Sequence, residues 1–163
     1  MKPRLYIETT IPSYLTAWPH RDLVIAGHQQ STRDWWANDR ARFELFISRF
    51  VLDEAAAGDA DAAQRRLDAL AEIPELPATD HALDLAFALV AEGAVPQKAR
   101  TDAAHIAMAA VHRMDFILTW NFRHIANAEK EPHIRKVCQS HGWQCPVICS
   151  PEQLMLNESE ETP

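Results

Sequence analysis

Four carbonyl-bearing side chains, Glu8, Glu54, Asp102 and Asn121, each stand where an apolar segment begins or ends. Glu8 closes the run Leu5-Tyr6-Ile7, and Asn121 follows Phe116-Ile117-Leu118-Thr119-Trp120. Glu54 lies four residues after Phe50 and three after Val51, so on a helix it shares their apolar line. Its neighbour Asp53 is rotated by about 100° towards solvent. Asp102 opens an Ala-rich stretch and shares a helical line with Ile106 and Ala109. Acids beside a core are costly unless something cationic holds them, and a divalent metal ion is the simplest such partner. Three carboxylates and an amide oxygen suit Mg²⁺ or Mn²⁺, which prefer oxygen ligands. A water on such an ion is a stronger nucleophile, and the ion steadies charge on a phosphoryl oxygen. That chemistry fits phosphodiester hydrolysis.

Each acid also has a plainer reading. Asp102 in a first helical turn favours the helix dipole by roughly 0.3–1 kcal/mol. Glu54 can snorkel from a helix edge, Glu8 can pair with an arginine, and Asn121 can be a turn residue. His105, three residues after Asp102, is placed to orient a carboxylate, to touch a phosphate or simply to pack. Asp115 cannot stand in for Asn121, because it lies roughly 20 Å earlier along an extended strand. No Walker-type loop, GxGxxG or nucleophile elbow is present, and four glycines in the chain leave no room for Gly-rich phosphate cradles.

The elements that must position these residues read as alternating strands and helices. Strands are expected at 3–8, 43–47, 116–119 and 146–149, with an extended segment between Pro74 and Pro77. Thr9 or Thr10 is expected to cap a short helix with Pro12 in its first turn. Helices follow at 22–40, from Ser48 to Gly58, and at 60–72, 80–93, 98–114 and 131–141. This alternation predicts an α/β sandwich with a mainly parallel sheet, whose site lies beyond the carboxyl ends of the strands. A single domain is expected over residues 1–152, followed by an acidic, disordered tail at 153–163.

The chain has 163 residues, 47% hydrophobic, with a net charge of −7, so a real core is expected and general affinity for polyanions is not. An acidic site that loads metal escapes that argument, because the ion becomes the largest local charge. Cys138, Cys145 and Cys149 lack CxxC spacing and are read as free thiols rather than as a zinc site with His133 or His141. No signal peptide and no bilayer-spanning stretch is recognised, which points to the cytoplasm.

Four segments then converge on one family. Tyr6-Ile7-Glu8-Thr9-Thr10, Ser48-x-x-Val51-x-x-Glu54, Lys98-Ala99-Arg100-Thr101-Asp102-Ala103-Ala104-His105 and Leu118-Thr119-Trp120-Asn121-Phe122-Arg123-His124 occur in order. Over residues 3–150 the chain resembles PIN-domain proteins, and is similar to the VapC-type toxins of type II toxin–antitoxin pairs. The resemblance implies a three-layer sandwich around a five-stranded sheet. It implies a Mg²⁺- or Mn²⁺-dependent endoribonuclease acting on RNA, an antitoxin partner and a homodimer. Glu8, Glu54, Asp102 and Asn121 then become catalytic metal ligands, with Thr9, Thr119, Arg123 and His124 placed for substrate. Glu8 and Asn121 stand where the family usually has Asp. The first change lengthens the ligand arm, and the second removes a charge, so one well-held ion and a weaker or absent second are expected. The alternative is a catalytically degenerate PIN-like domain that binds RNA or protein without cutting. Trp18, Trp35 and Trp36 could stack on bases, but core or interface packing is expected for at least two of them.

Overall fold

A computed structural model describes residues 1–156. Five strands form one sheet in the order β3-β2-β1-β4-β5, and every pair is parallel. They are β1 (Arg4–Ile7), β2 (Glu44–Ser48), β3 (Glu75–Leu76), β4 (Phe116–Leu118) and β5 (Val147–Cys149). Seven helices flank the sheet: α1 (Thr10–Thr16), α2 (Leu23–Asn38), α3 (Arg49–Ala55), α4 (Ala60–Leu70), α5 (Asp80–Ala91), α6 (Arg100–Val111) and α7 (Glu131–Ser140). The architecture is an α/β sandwich around a parallel sheet, as the alternation of elements implies, and it is consistent with the PIN-like three-layer form that the resemblance implies.

The centre of the sheet explains its own sequence. Leu5, Tyr6 and Ile7 of β1 are all fully buried, because a parallel strand covered by helices has no wet face. Tyr6 sits in register between Phe46 of β2 and Ile117 of β4. Its hydroxyl reaches His105 on α6, so Leu5 and Ile7 project to the opposite face. Helix α6 is the most enclosed helix: from Ala103 to Ala110 every residue is buried, and small side chains let it lie close to β4 and α5.

Chain order places the site. From β1 the chain steps to β2 and β3 on one side, then returns to β4 and β5 on the other. The seam between β1 and β4 is therefore the topological switch point, where a crevice opens beyond the strand ends. Glu8 and Thr119 are the first residues past those two ends.

Local expectations hold in outline and differ at the caps. Neither Thr9 nor Ser48 caps its helix with a side-chain hydrogen bond. Their hydroxyls bond the Glu54 carboxylate and the buried Tyr6 phenol instead. Gly58, Gly93 and Gly142 all have positive φ, as helix-ending residues do. The domain continues past residue 152: Leu154 and Met155 pack against the core, and the Leu156 amide donates to Asp39 at 3.3 Å. The remainder of the expected tail, Asn157 to Pro163, lies outside the described residues. The three cysteines are free and buried. No described helix is long and apolar enough to cross a membrane.

Candidate metal centre and active site

Glu8 is 3% exposed and sits at the N-terminus of α1. Its Oε1 accepts from the hydroxyls of Thr10 at 2.6 Å and Thr119 at 2.5 Å, and its Oε2 accepts from the Thr10 amide at 3.1 Å. Among the described residues no lysine or arginine pairs with it, which removes the arginine alternative. Burial raises its pKa, against the opposing pull of His105 and the two threonines. These donors also freeze the extra methylene that distinguishes glutamate from aspartate here.

Glu54, in the last turn of α3, reaches back over the crevice. Its Oε1 accepts from the Thr9 hydroxyl at 2.7 Å and bonds His105 Nε2 at 2.5 Å. Partial burial would raise its pKa, but the His105 contact and the Thr9 hydrogen bond outweigh it and hold it low. Asp53 and Glu54 are both exposed, and it is the contacts to Thr9 and His105 that set Glu54 apart from its neighbour.

His105 is fully buried and spends both ring nitrogens. Nδ1 meets the Tyr6 hydroxyl at 2.7 Å, and that hydroxyl meets Ser48 Oγ at 2.7 Å. Burial pulls its pKa down, but Glu54, Glu8 and Asp102 together carry it above the usual histidine value. Of the three roles the sequence leaves open for it, orienting a carboxylate fits. Contact with a phosphate does not, since the ring has no open face.

Ligand atoms of Glu8, Glu54 and His105 all lie within 4.8 Å of one another. Asp102 is outside that tight group, in the first turn of α6 and half-buried. Burial raises its pKa, while the Asn121 amide and His105 oppose the rise. Asn121 serves two partners. Its Oδ1 accepts from the His124 amide at 3.0 Å, and its side chain faces the Asp102 carboxylate. Its oxygen therefore caps the turn first, and one lone pair remains for a cation.

The threonines expected to face substrate are positioning residues. Thr119 is fully buried, and besides holding Glu8 it accepts from the Asn121 amide at 2.9 Å. Thr9 is buried against Glu54. Arg123 is exposed, and His124 lies beside Lys130, with Nδ1 3.4 Å from Nζ. Burial and then Lys130 lower the His124 pKa, and Arg123 and Lys98 add to the effect, whereas Asp102 opposes it. Lys98, Arg123 and Lys130 thus gather around a neutral His124 and form a basic rim on this side of the acids. Sequence reasoning missed Lys98 and Lys130, although Lys98 stands four residues before Asp102.

Two of the three tryptophans pack, as expected, and Trp36 and Trp35 are those two. Trp35 is fully buried, Trp36 lies under the Arg40 guanidinium at 4.1 Å, and Trp18 is 76% exposed with Arg65 over its ring. Trp35 cannot stack on a base.

The donor set fits a hard divalent cation. At full ionisation three carboxylates and one imidazolium leave a net charge of −3 + 1 = −2 in the crevice. Glu54 Oε2 accepts no hydrogen bond, and Glu8 Oε2 accepts one, so oxygen lone pairs remain on both acids. A cleft of about 1030 Å³ lies at the other end of the sheet around Arg4, Arg113 and Trp143. Chemistry points to the acidic crevice instead, because that cleft holds no convergent acids. No protein-family model matches the chain, and no curated protein matches its sequence.

Proposed function

We propose that this protein is a metal-dependent endoribonuclease, with Glu8, Glu54 and Asp102 as ligands of Mg²⁺ or Mn²⁺ and Asn121 assisting through its amide oxygen. The observation that supports it most is Glu8: a nearly fully buried carboxylate, free of lysine and arginine partners, at the switch point and within 4.8 Å of a Glu54 oxygen. The bound ion supplies Lewis acidity and a water of lowered pKa.

The chain's own groups do the rest. Thr10 and Thr119 fix Glu8, while Thr9 and His105 fix Glu54. Tyr6, kept protonated by burial, fixes His105 in turn. Arg123, Lys98 and Lys130 attract the RNA phosphates that the acids alone would repel. The similarity to VapC-type PIN-domain toxins adds the remaining expectations: a cognate antitoxin protein, a homodimer and a cytoplasmic site of action.

Binding without cutting is the second reading, and one observation favours it. Asn121 spends its oxygen on the His124 amide, where an aspartate would have a second oxygen to offer. Incubation of pooled RNA with Mn²⁺, Mg²⁺ or EDTA separates the two. Metal-dependent cutting supports the nuclease, whereas metal-independent binding of intact RNA supports the alternative.

A further inference from the structure

Beside the acids, four aromatic rings gather from three elements. Trp120, just past β4, stacks on His28 of α2 with centroids 4.1 Å apart and planes 14° from parallel. Tyr14 of α1 lies nearly parallel to both, at 6.0 Å from Trp120 and 6.4 Å from His28. Phe122 stands across them, 85° to His28 and 72° to Trp120, and is 48% exposed.

Core packing accounts for Trp120, which is buried and donates its indole N–H to Thr32 at 2.8 Å. It does not account for the others. His28 and Tyr14 are half-buried, and no described residue hydrogen-bonds to the His28 ring nitrogens or the Tyr14 hydroxyl. The result is an aromatic corner, in which the near-parallel rings of Trp120, His28 and Tyr14 meet the upright ring of Phe122, with open polar edges. It is tied to the acids through one residue: Thr10 Oγ1 accepts from the Trp120 amide at 2.8 Å and donates to Glu8 at 2.6 Å. The basic rim lies on the adjoining turn, with Arg123 next to Phe122 in the chain.

We propose that Tyr14 and His28, backed by Trp120 and flanked by the upright ring of Phe122, form a shelf on which one unpaired nucleobase of the RNA stacks, edge-on to Phe122, next to the phosphate held at the acids. This rests on the nuclease reading above. A base has a π-face for the rings and a polar edge for His28 and Tyr14, and every base has both. A base paired within a duplex cannot present its face, so the shelf selects single-stranded segments. Arg123 takes the neighbouring phosphate.

The test uses the full chain carrying Asp102→Asn, so that RNA binds without being cut, and a fluorescent single-stranded RNA of mixed sequence with Mg²⁺. Phe122→Ala and His28→Ala are each expected to weaken binding by roughly fivefold or more, the range of one lost base stack. Phe122→Tyr should restore it, and the annealed duplex should compete poorly. In the otherwise wild-type chain the same changes should raise KM and leave kcat within about threefold, a split that general damage to the fold would not give. Unchanged binding in both alanine variants, or equal competition by duplex, overturns the shelf. Metal-dependent cutting with a KM indifferent to Phe122 leaves the nuclease reading standing without the shelf. Phe122-dependent binding in a protein that never cuts does the reverse.

Discussion

The Thr119 hydroxyl donates to the Glu8 carboxylate at 2.5 Å across the seam between the two central strands β1 and β4. The same hydroxyl accepts from the Asn121 backbone amide, so one buried side chain links Glu8 to the turn carrying Asn121. Thr119→Val keeps the shape and removes both bonds. It should cost about 1–3 kcal/mol, the range for leaving a buried polar group without its partner. Metal affinity should fall with it. Denaturant unfolding and metal titration on one preparation check this. A variant as stable as wild type would mean that Glu8 finds another donor.

His105 and Glu54 form a coupled pair whose worth depends on pH. The raised His105 pKa gives stability that is fully present below the usual histidine value and is lost as pH rises through the raised one. The lowered Glu54 pKa gives stability present above the usual glutamate value and lost as pH falls through the lowered one. The stability difference between wild type and His105→Gln should therefore peak at mildly acidic pH and decline on both sides. A double-mutant cycle with Glu54→Gln should show coupling of about 0.5–3 kcal/mol near the peak. A coupling that is flat with pH would place the stabilisation in packing alone.

Glu8 has the opposite sign. Its raised pKa means that ionisation costs the metal-free fold stability as pH climbs past the ordinary glutamate range. Glu8→Gln, which cannot ionise, should gain on wild type as pH rises towards neutral. Mg²⁺ or Mn²⁺ should raise the wild-type melting temperature and release protons on binding, while Glu8→Gln responds weakly. Thermal melts across pH, with and without metal, read both effects. A variant with the full metal response would remove Glu8 from the site.

Asn121→Asp restores a charge facing Asp102. The metal-free protein should lose stability from like-charge repulsion, because the Asn121 amide that now opposes the Asp102 pKa rise is gone. An aspartate can still cap the His124 amide. Metal affinity should rise about tenfold or a second binding step should appear, as an added carboxylate ligand implies. Calorimetry showing two strong sites already in the wild type would contradict the expectation of one well-held ion.

Most of the fold is legible in the sequence because its period changes are clean. Continuous apolar runs such as Leu5–Ile7 mark strands buried on both faces, and Gly58, Gly93 and Gly142 punctuate the helices. The acids stand out because each interrupts an apolar line. The supporting hydrogen bonds are not legible. Thr9, Thr10, Ser48 and Thr119 carry the ordinary signal of caps and strand ends, and only the packing diverts their hydroxyls to Glu54, Glu8 and Tyr6. His105 looks like any histidine on an Ala-rich helix until Tyr6 and Glu54 arrive from other elements. Lys98 lies four residues before Asp102, yet only the fold brings it and Lys130 to His124, and no spacing announces the stack of Tyr14, His28 and Trp120.

The most direct measurement is the initial rate of RNA cleavage by wild type, Glu54→Gln, Asp102→Asn and Asp53→Asn, purified side by side, with Mn²⁺ and with EDTA. Asp53 is the exposed neighbour of Glu54 and serves as the control. A metal centre at these acids predicts metal-dependent cutting by wild type and Asp53→Asn, and losses on the order of 10²-fold or more in the other two. Equal rates in all four proteins, or cutting that persists in EDTA, would contradict it.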